Sequence, residues 1–131
     1  MKKYLEQIAW TAQIIASIIL AQTLFFKFSG AAESVALFTK LGVEPFGRYA
    51  AGVMELITVI LLLTKKTAWL GSLLGLGIMG GAILSHLTVL GIESNGDGGL
   101  LFLLAVVTFI CCLVVAYIRK SNLIAKFYLF L

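Results

Sequence analysis

Residues 50–63 read AAGVMELITVILLL, an apolar run with a single carboxylate, Glu55, set inside it. The rest of the chain shares this character. Of 131 residues, 61% are hydrophobic and 12% charged, and the mean hydropathy is +1.08. Soluble domains lie nearer about one half apolar and one quarter charged. Several runs also reach the roughly 20 apolar residues that a helix needs to cross a hydrocarbon core about 30 Å thick. The chain therefore reads as an all-α integral membrane protein, one domain over residues 1–131, with the lipid bilayer as its main surroundings.

Four spans fit the pattern: about Leu5–Phe28, Phe46–Thr64, Thr67–Leu90 and Gly99–Ile118. Only TKKT (64–67) separates the second from the third, which forces an antiparallel hairpin, and GIESNGDGG (91–99) is a dense turn signal. An antiparallel four-helix transmembrane bundle follows. The first connection is longer. Its middle, AESVALFTKLG (32–42), mixes Val35, Leu37, Phe38 and Leu41 with charges and ends at a glycine, as a short interfacial helix would. The opening lysines and apolar run resemble a secretory signal. The run is too long for one, however, and no A-x-A site precedes a polar stretch, so a retained first span is expected.

Basic residues set the orientation. With a cytoplasmic N-terminus, that side carries Lys2, Lys3, Lys65, Lys66, Arg119, Lys120 and Lys126. The opposite side carries Lys27, Lys40 and Arg48 with the acids Glu33, Glu44, Glu93 and Asp97. The positive-inside rule thus predicts a multi-pass protein with both termini in the cytoplasm. The net charge of +4 is a property of these helix ends and gives no sign of a nucleic-acid partner. The tail, SNLIAKFYLFL (121–131), is expected to rest on the inner interface.

Span three, WLGSLLGLGIMGGAILSHL (69–87), carries GxxxG spacing at Gly71/Gly75 and at Gly77/Gly81. Glycines spaced this way let backbones approach closely in lipid. The two pairs face roughly opposite sides, so span three is expected to be the central helix between two neighbours, with a homo-oligomer face as the alternative use. Cys111 and Cys112 are adjacent on a helix and point about 100° apart, which reads as apolar packing rather than a redox pair.

Ionisable side chains inside a span are expensive and usually face protein or water. Lys27, Arg48, Glu55 and His86 are the candidates, all in the outer half under this topology. At about 100° per residue, Arg48, Gly52 and Glu55 form one stripe on span two. Ser72, Gly75, Met79, Ala82 and His86 form another on span three, and Gln13, Ser17 and Lys27 share a face of span one with Gln22 turned away. Three polar stripes could thus converge beneath the outer surface as a ligand-binding cluster. Plainer readings stand beside this: Lys27 snorkelling to headgroups, Arg48 anchoring at the interface, His86 as a hydrogen-bonded packing residue. Glu55 is too short to snorkel, so it must pair, protonate or meet water. A metal centre is not expected, because one histidine and one glutamate leave the ligand count incomplete. Neither a hydrolase nor a nucleotide-dependent enzyme has its motifs here.

In order and spacing, LFFKFSGAAESVALFTKLGVEPFGRYAAGVMELITVILLL (24–63) resembles the DoxX family of small four-span bacterial membrane proteins. The matching features are Lys27, Gly30, Phe38, the Leu41-Gly42-Val43 turn with Pro45, and then Gly52 and Glu55. MGGAILSHL (79–87) with His86 and DGGLLFLLA (97–105) are similar to the family as well. The resemblance implies a four-span fold in a bacterial inner membrane. It also implies kinship with membrane subunits of thiosulfate:quinone oxidoreductase, and hence a role as accessory subunit of an oxidoreductase complex. A quinone-like or small sulfur-containing molecule is then the candidate ligand, with no cofactor fixed by the sequence, and redox or periplasmic proteins are the candidate partners. Distant relatives that act as receptor-assembly chaperones imply the alternative, a non-enzymatic membrane scaffold or assembly factor.

Overall fold

A computed structural model describes residues 3–93 and 96–120. The described chain is helical throughout: α1 Lys3–Ser29, α2 Ala32–Lys40, α3 Phe46–Leu62, a 3₁₀ turn Lys65–Thr67, α4 Ala68–Ser85 and α5 Leu100–Ile118. The last turn of α4 widens into a π-helical turn, His86–Leu90, which the sequence had suggested as ordinary helix. Three stretches are long and apolar enough to cross a membrane: Lys3–Ser29, Lys65–Leu90 and Leu100–Ile118. This marks a membrane protein. Helices suit that setting because every backbone polar group between their ends is satisfied within the segment. The expected positions of Lys2, Lys126 and the tail 121–131 lie outside the described residues.

α1 packs on α3 and α5, and α4 packs on the same two, so the four long helices close a ring. One end of the ring holds the start of α1, the 3₁₀ turn and the finish of α5; it is called the terminal end below. The other, the loop end, carries α2, which touches α1, α3 and the π turn. Glycines at positive φ, Gly30 (φ 70°) and Gly42 (φ 79°), bracket α2, a conformation open to a residue without Cβ.

The ring is held closest where side chains are smallest. A Cβ on Gly71 would lie 2.9 Å from the Leu62 amide nitrogen, and one on Gly75 would collide with Cys112 Sγ. α4 thus meets both of its neighbours through one glycine pair. The expectation that the second pair also packs within the chain is corrected: Gly77 and Gly81 have nothing within 4 Å of a would-be Cβ. Gly77 lies two residues beyond Gly75, about 200° around the helix, which turns it from α3 and α5 together.

A buried polar knot ties the terminal end. Arg119, 1% exposed, donates from Nε to Gln13 Oε1 at 2.7 Å and forks onto Glu6 through Nη1 (3.3 Å) and Nη2 (3.1 Å). Gln13 Nε2 donates in turn to the Leu62 carbonyl at 2.7 Å, and Lys65 reaches Glu6 at 3.3 Å. One guanidinium thereby joins α5 to α1, and one amide joins α1 to α3.

The glycine contacts give a graded expectation. Gly71→Ala and Gly75→Ala should each lower the melting temperature in detergent, by about 1–3 kcal/mol of overpacking. Cys112→Ala should relieve the Gly75→Ala variant but not Gly71→Ala, whose obstacle is backbone. Gly77→Ala and Gly81→Ala should be near neutral, and a large loss from either would contradict the packing described.

Candidate functional site

The loop-end half of the ring encloses a cavity of about 500 Å³. Its walls are mostly apolar, with Leu37 and Phe38 from α2, Ile78 and Met79 from α4, and Leu101 and Leu104 from α5. Lys27, Glu55 and His86 line the same cavity. Sites of roughly 300–1,000 Å³ with apolar walls and a few convergent polar groups are typical of small-molecule pockets.

Glu55 sits in the middle of α3, 3% exposed. Lys27 Nζ, near the end of α1, donates to its Oε1 at 2.9 Å. Thr23 Oγ1, one turn before Lys27 on the same face of α1, shares its one O–H between Oε2 at 3.1 Å and the Leu20 carbonyl at 3.0 Å. Both carboxylate oxygens are therefore engaged, one by a charge and one by a hydroxyl. The pair explains how an acid is held in an apolar helix: a lone carboxylate at this depth has no water to replace its hydration, whereas the ammonium supplies both charge and donor. Lys27 keeps two further N–H donors beside the cavity.

His86 stands at the junction of α4 and the π turn, 3% exposed. Its Nδ1 lies 3.0 Å from the Gly91 carbonyl, which can only accept, so Nδ1 carries a proton. The ring meets Phe102 edge to face, with centroids 5.7 Å apart. With Nδ1 committed, Nε2 is the nitrogen left for another partner.

Arg48 takes another direction. It is 5% exposed, forks from Nε onto both oxygens of Glu44 (2.9 and 3.1 Å), donates from Nη1 to the Lys27 carbonyl, and stacks over Tyr49 at 4.4 Å. It does not line the cavity, and it touches the site only by fixing the backbone that carries Lys27. Gly52, between Arg48 and Glu55, is where the Phe28 ring approaches; a Cβ there would lie 2.8 Å from it. Met79 lies on the cavity wall. Ser72 donates to the Trp69 carbonyl at 2.7 Å within its own helix, and Gln13 belongs to the terminal-end knot. Ser17 is buried at 4% exposure, and its Oγ has no partner among the described residues. Thr23 was absent from the sequence-derived set, although its i, i+4 relation to Lys27 was a readable signal. Gln22, which helical spacing turns away from the Gln13–Ser17–Lys27 face, nevertheless lines the cavity.

Among the described residues, no group of three or more His, Cys, Asp or Glu side chains gathers to hold a metal ion. What the arrangement offers is hydrogen bonding and charge: donors on Lys27, a proton-active imidazole, and a carboxylate released only if its lysine is drawn away. No protein-family model, curated protein or solved structure matches the chain at significant similarity.

The buried pair makes a cycle of variants informative. Lys27→Met or Glu55→Met alone leaves one buried charge unmatched and should cost about 3–5 kcal/mol of stability. The double variant should recover most of that loss. Additive losses in thermal unfolding of the four proteins would show that the two groups do not depend on each other.

Proposed function

We propose that the protein is a four-span membrane protein of the DoxX type, an accessory subunit of a quinone- or sulfur-linked redox pathway. The loop-end cavity is its ligand site, and a quinone-like molecule is the ligand. One observation carries this reading: an apolar cavity of about 500 Å³ with the Lys27–Glu55 pair and His86 on its walls. A quinone ring is flat and apolar, with carbonyl oxygens that accept hydrogen bonds, and it supplies the electron-accepting chemistry when bound. Lys27 would donate to one such oxygen, and His86 Nε2, the bare nitrogen of the Nδ1-protonated ring, would accept from the O–H that the other oxygen carries in the reduced, quinol form. Glu55 holds Lys27 in place on the cavity wall. An anionic sulfur compound would use the same lysine.

The membrane arrangement belongs to the proposal. α3 has 17 residues, about 25 Å at 1.5 Å per residue, which is short for a 30 Å core. It is nevertheless packed between α1 and α4 and would cross with them. α2, with Phe38 buried and Glu33 and Lys40 exposed, would lie along the far interface. Lys3, Lys65, Lys66 and Lys120 gather at the terminal end, while Lys27, Lys40 and Arg48 belong to the loop end. That supports cytoplasmic termini in a bacterial inner membrane.

The test is ligand-dependent thermal stabilisation of the purified protein in detergent. A benzoquinone bearing a short alkyl chain should raise the melting temperature in step with the logarithm of its concentration above Kd, a stabilisation of about 2.7 kcal/mol at 100 times its Kd. Lys27→Met should abolish the shift, while Lys65→Gln, at the opposite end, should keep it. Absence of any concentration-dependent shift in the wild type would overturn the ligand reading. Large destabilisation by Glu55→Gln without ligand response would favour the scaffold alternative.

A further inference from the structure

The cavity is not evenly walled. Every lining residue contributed by α3 and by α4 with its π turn is buried or half-buried: Ala51 and Glu55 on the one, Ile78 to Leu90 on the other. The exposed lining residues lie elsewhere. Gln22 and Phe26 are on α1, Glu33 on α2, Gly96 in the turn before α5 and Leu100 at the start of that helix.

The packing of α1 and α5 explains the asymmetry. On α1 the buried residues are Ala9, Ala12, Gln13, Ala16, Ser17 and Leu20, and none follows Leu20. On α5 they are Ala105, Thr108, Cys112 and Val115, and none precedes Ala105. The two helices are thus sealed together toward the terminal end, where small alanines and the Arg119 knot join them. Toward the loop end they present partly exposed side chains across the cavity instead. Both are among the helices long and apolar enough to cross a membrane, so the bilayer would flank this stretch of them. On the side between α1 and α5, Phe26 (44% exposed) and Leu100 (56%) give the rim an apolar border with Gln22 as its polar member, while Glu33 and Gly96 lie on the side of α2 and the turn before α5.

We infer that the cavity opens sideways between the loop-end halves of α1 and α5, and that its ligand is a membrane-dissolved amphiphile that enters from the lipid. The polar group goes inward to Lys27 and His86. The apolar body lies along Ile19, Ile78 and Leu104, and a tail leaves past Gln22 and Leu100. As a statement about the ligand, this rests on the cavity being the ligand site; as a statement about the route, it can be tested with no ligand at all.

The experiment places a cysteine on the cavity wall, Met79→Cys, in a chain carrying Cys111→Ala and Cys112→Ala, reconstituted in phosphatidylcholine vesicles. Ser85→Cys, also on the wall, repeats the measurement where Met79→Cys fails to fold. Two thiol reagents are compared: N-phenylmaleimide, which dissolves in the bilayer, and a sulfonated maleimide, which stays in water. The apolar reagent should label at least about tenfold faster relative to its rate with a small thiol in solution, as expected for the partition of a phenyl group into hydrocarbon. Gln22→Trp, which fills the gap, should slow that labelling several-fold. Equal rates, faster labelling by the sulfonate, no labelling by either, or indifference to Gln22→Trp would each overturn the lateral route. None of these results depends on whether a quinone binds. Failure of the thermal-shift test with normal lateral labelling would instead indict the identity of the ligand.

Discussion

The structure depends on one constraint: a carboxylate inside an apolar helix must bring its own counter-charge. Glu55 finds it in Lys27, 2.9 Å away on the neighbouring helix, and Thr23 takes the remaining oxygen. The requirement fixes α1 against α3 in rotation and height, because a lysine near the end of one helix reaches a glutamate in the middle of the other only at one register. It also spreads outward. Arg48 donates to the carbonyl of Lys27 and forks onto Glu44, so the loop that starts α3 is bound to the backbone that presents the ammonium. A charge pair of this kind contributes little net stability compared with apolar packing, and its retention fits a specifying or functional role better than a purely stabilising one.

The two ends of the ring divide the work. At the terminal end, Arg119 gathers Glu6 and Gln13, and alanines and glycines allow close approach of the helices. At the loop end, larger side chains line a space instead of filling it, and the polar groups face that space. Four helices cannot be tightly packed along their whole length and also leave a cavity between them. Locking one end allows the other to stay open without loss of the fold. The π turn at His86 falls at this open end, where widened turns often occur next to functional side chains.

Much of this arrangement was legible in the sequence. Hydropathy and turn signals gave the helices to within a few residues, since a 20-residue apolar run flanked by lysines has few alternatives. Depth was legible too, which is why Lys27, Glu55 and His86 could be grouped. Rotation was harder. Arg48 and Glu55 share a helical face within about 60°, yet a long guanidinium can reach back to Glu44, and a stripe does not say which neighbour it will meet. Counting Arg119 as a topology signal hid its partners, although Glu6 near the start of α1 and Arg119 just beyond α5 must lie at one level if those helices are antiparallel. The outward turn of Gly77 and Gly81 was not legible, because GxxxG spacing gives a close-approach surface but not the helix that uses it.

The central claim, that the ion pair and histidine are the polar end of a cavity filled from the bilayer, is tested most directly by an experimental density map of the protein in lipid nanodiscs made from its native membrane. The account predicts an elongated non-protein feature between α1, α4 and α5, with its inner end within hydrogen-bonding distance of Lys27 Nζ or His86 Nε2. A cavity collapsed by side-chain packing, or a feature that never approaches those two nitrogens, would contradict it.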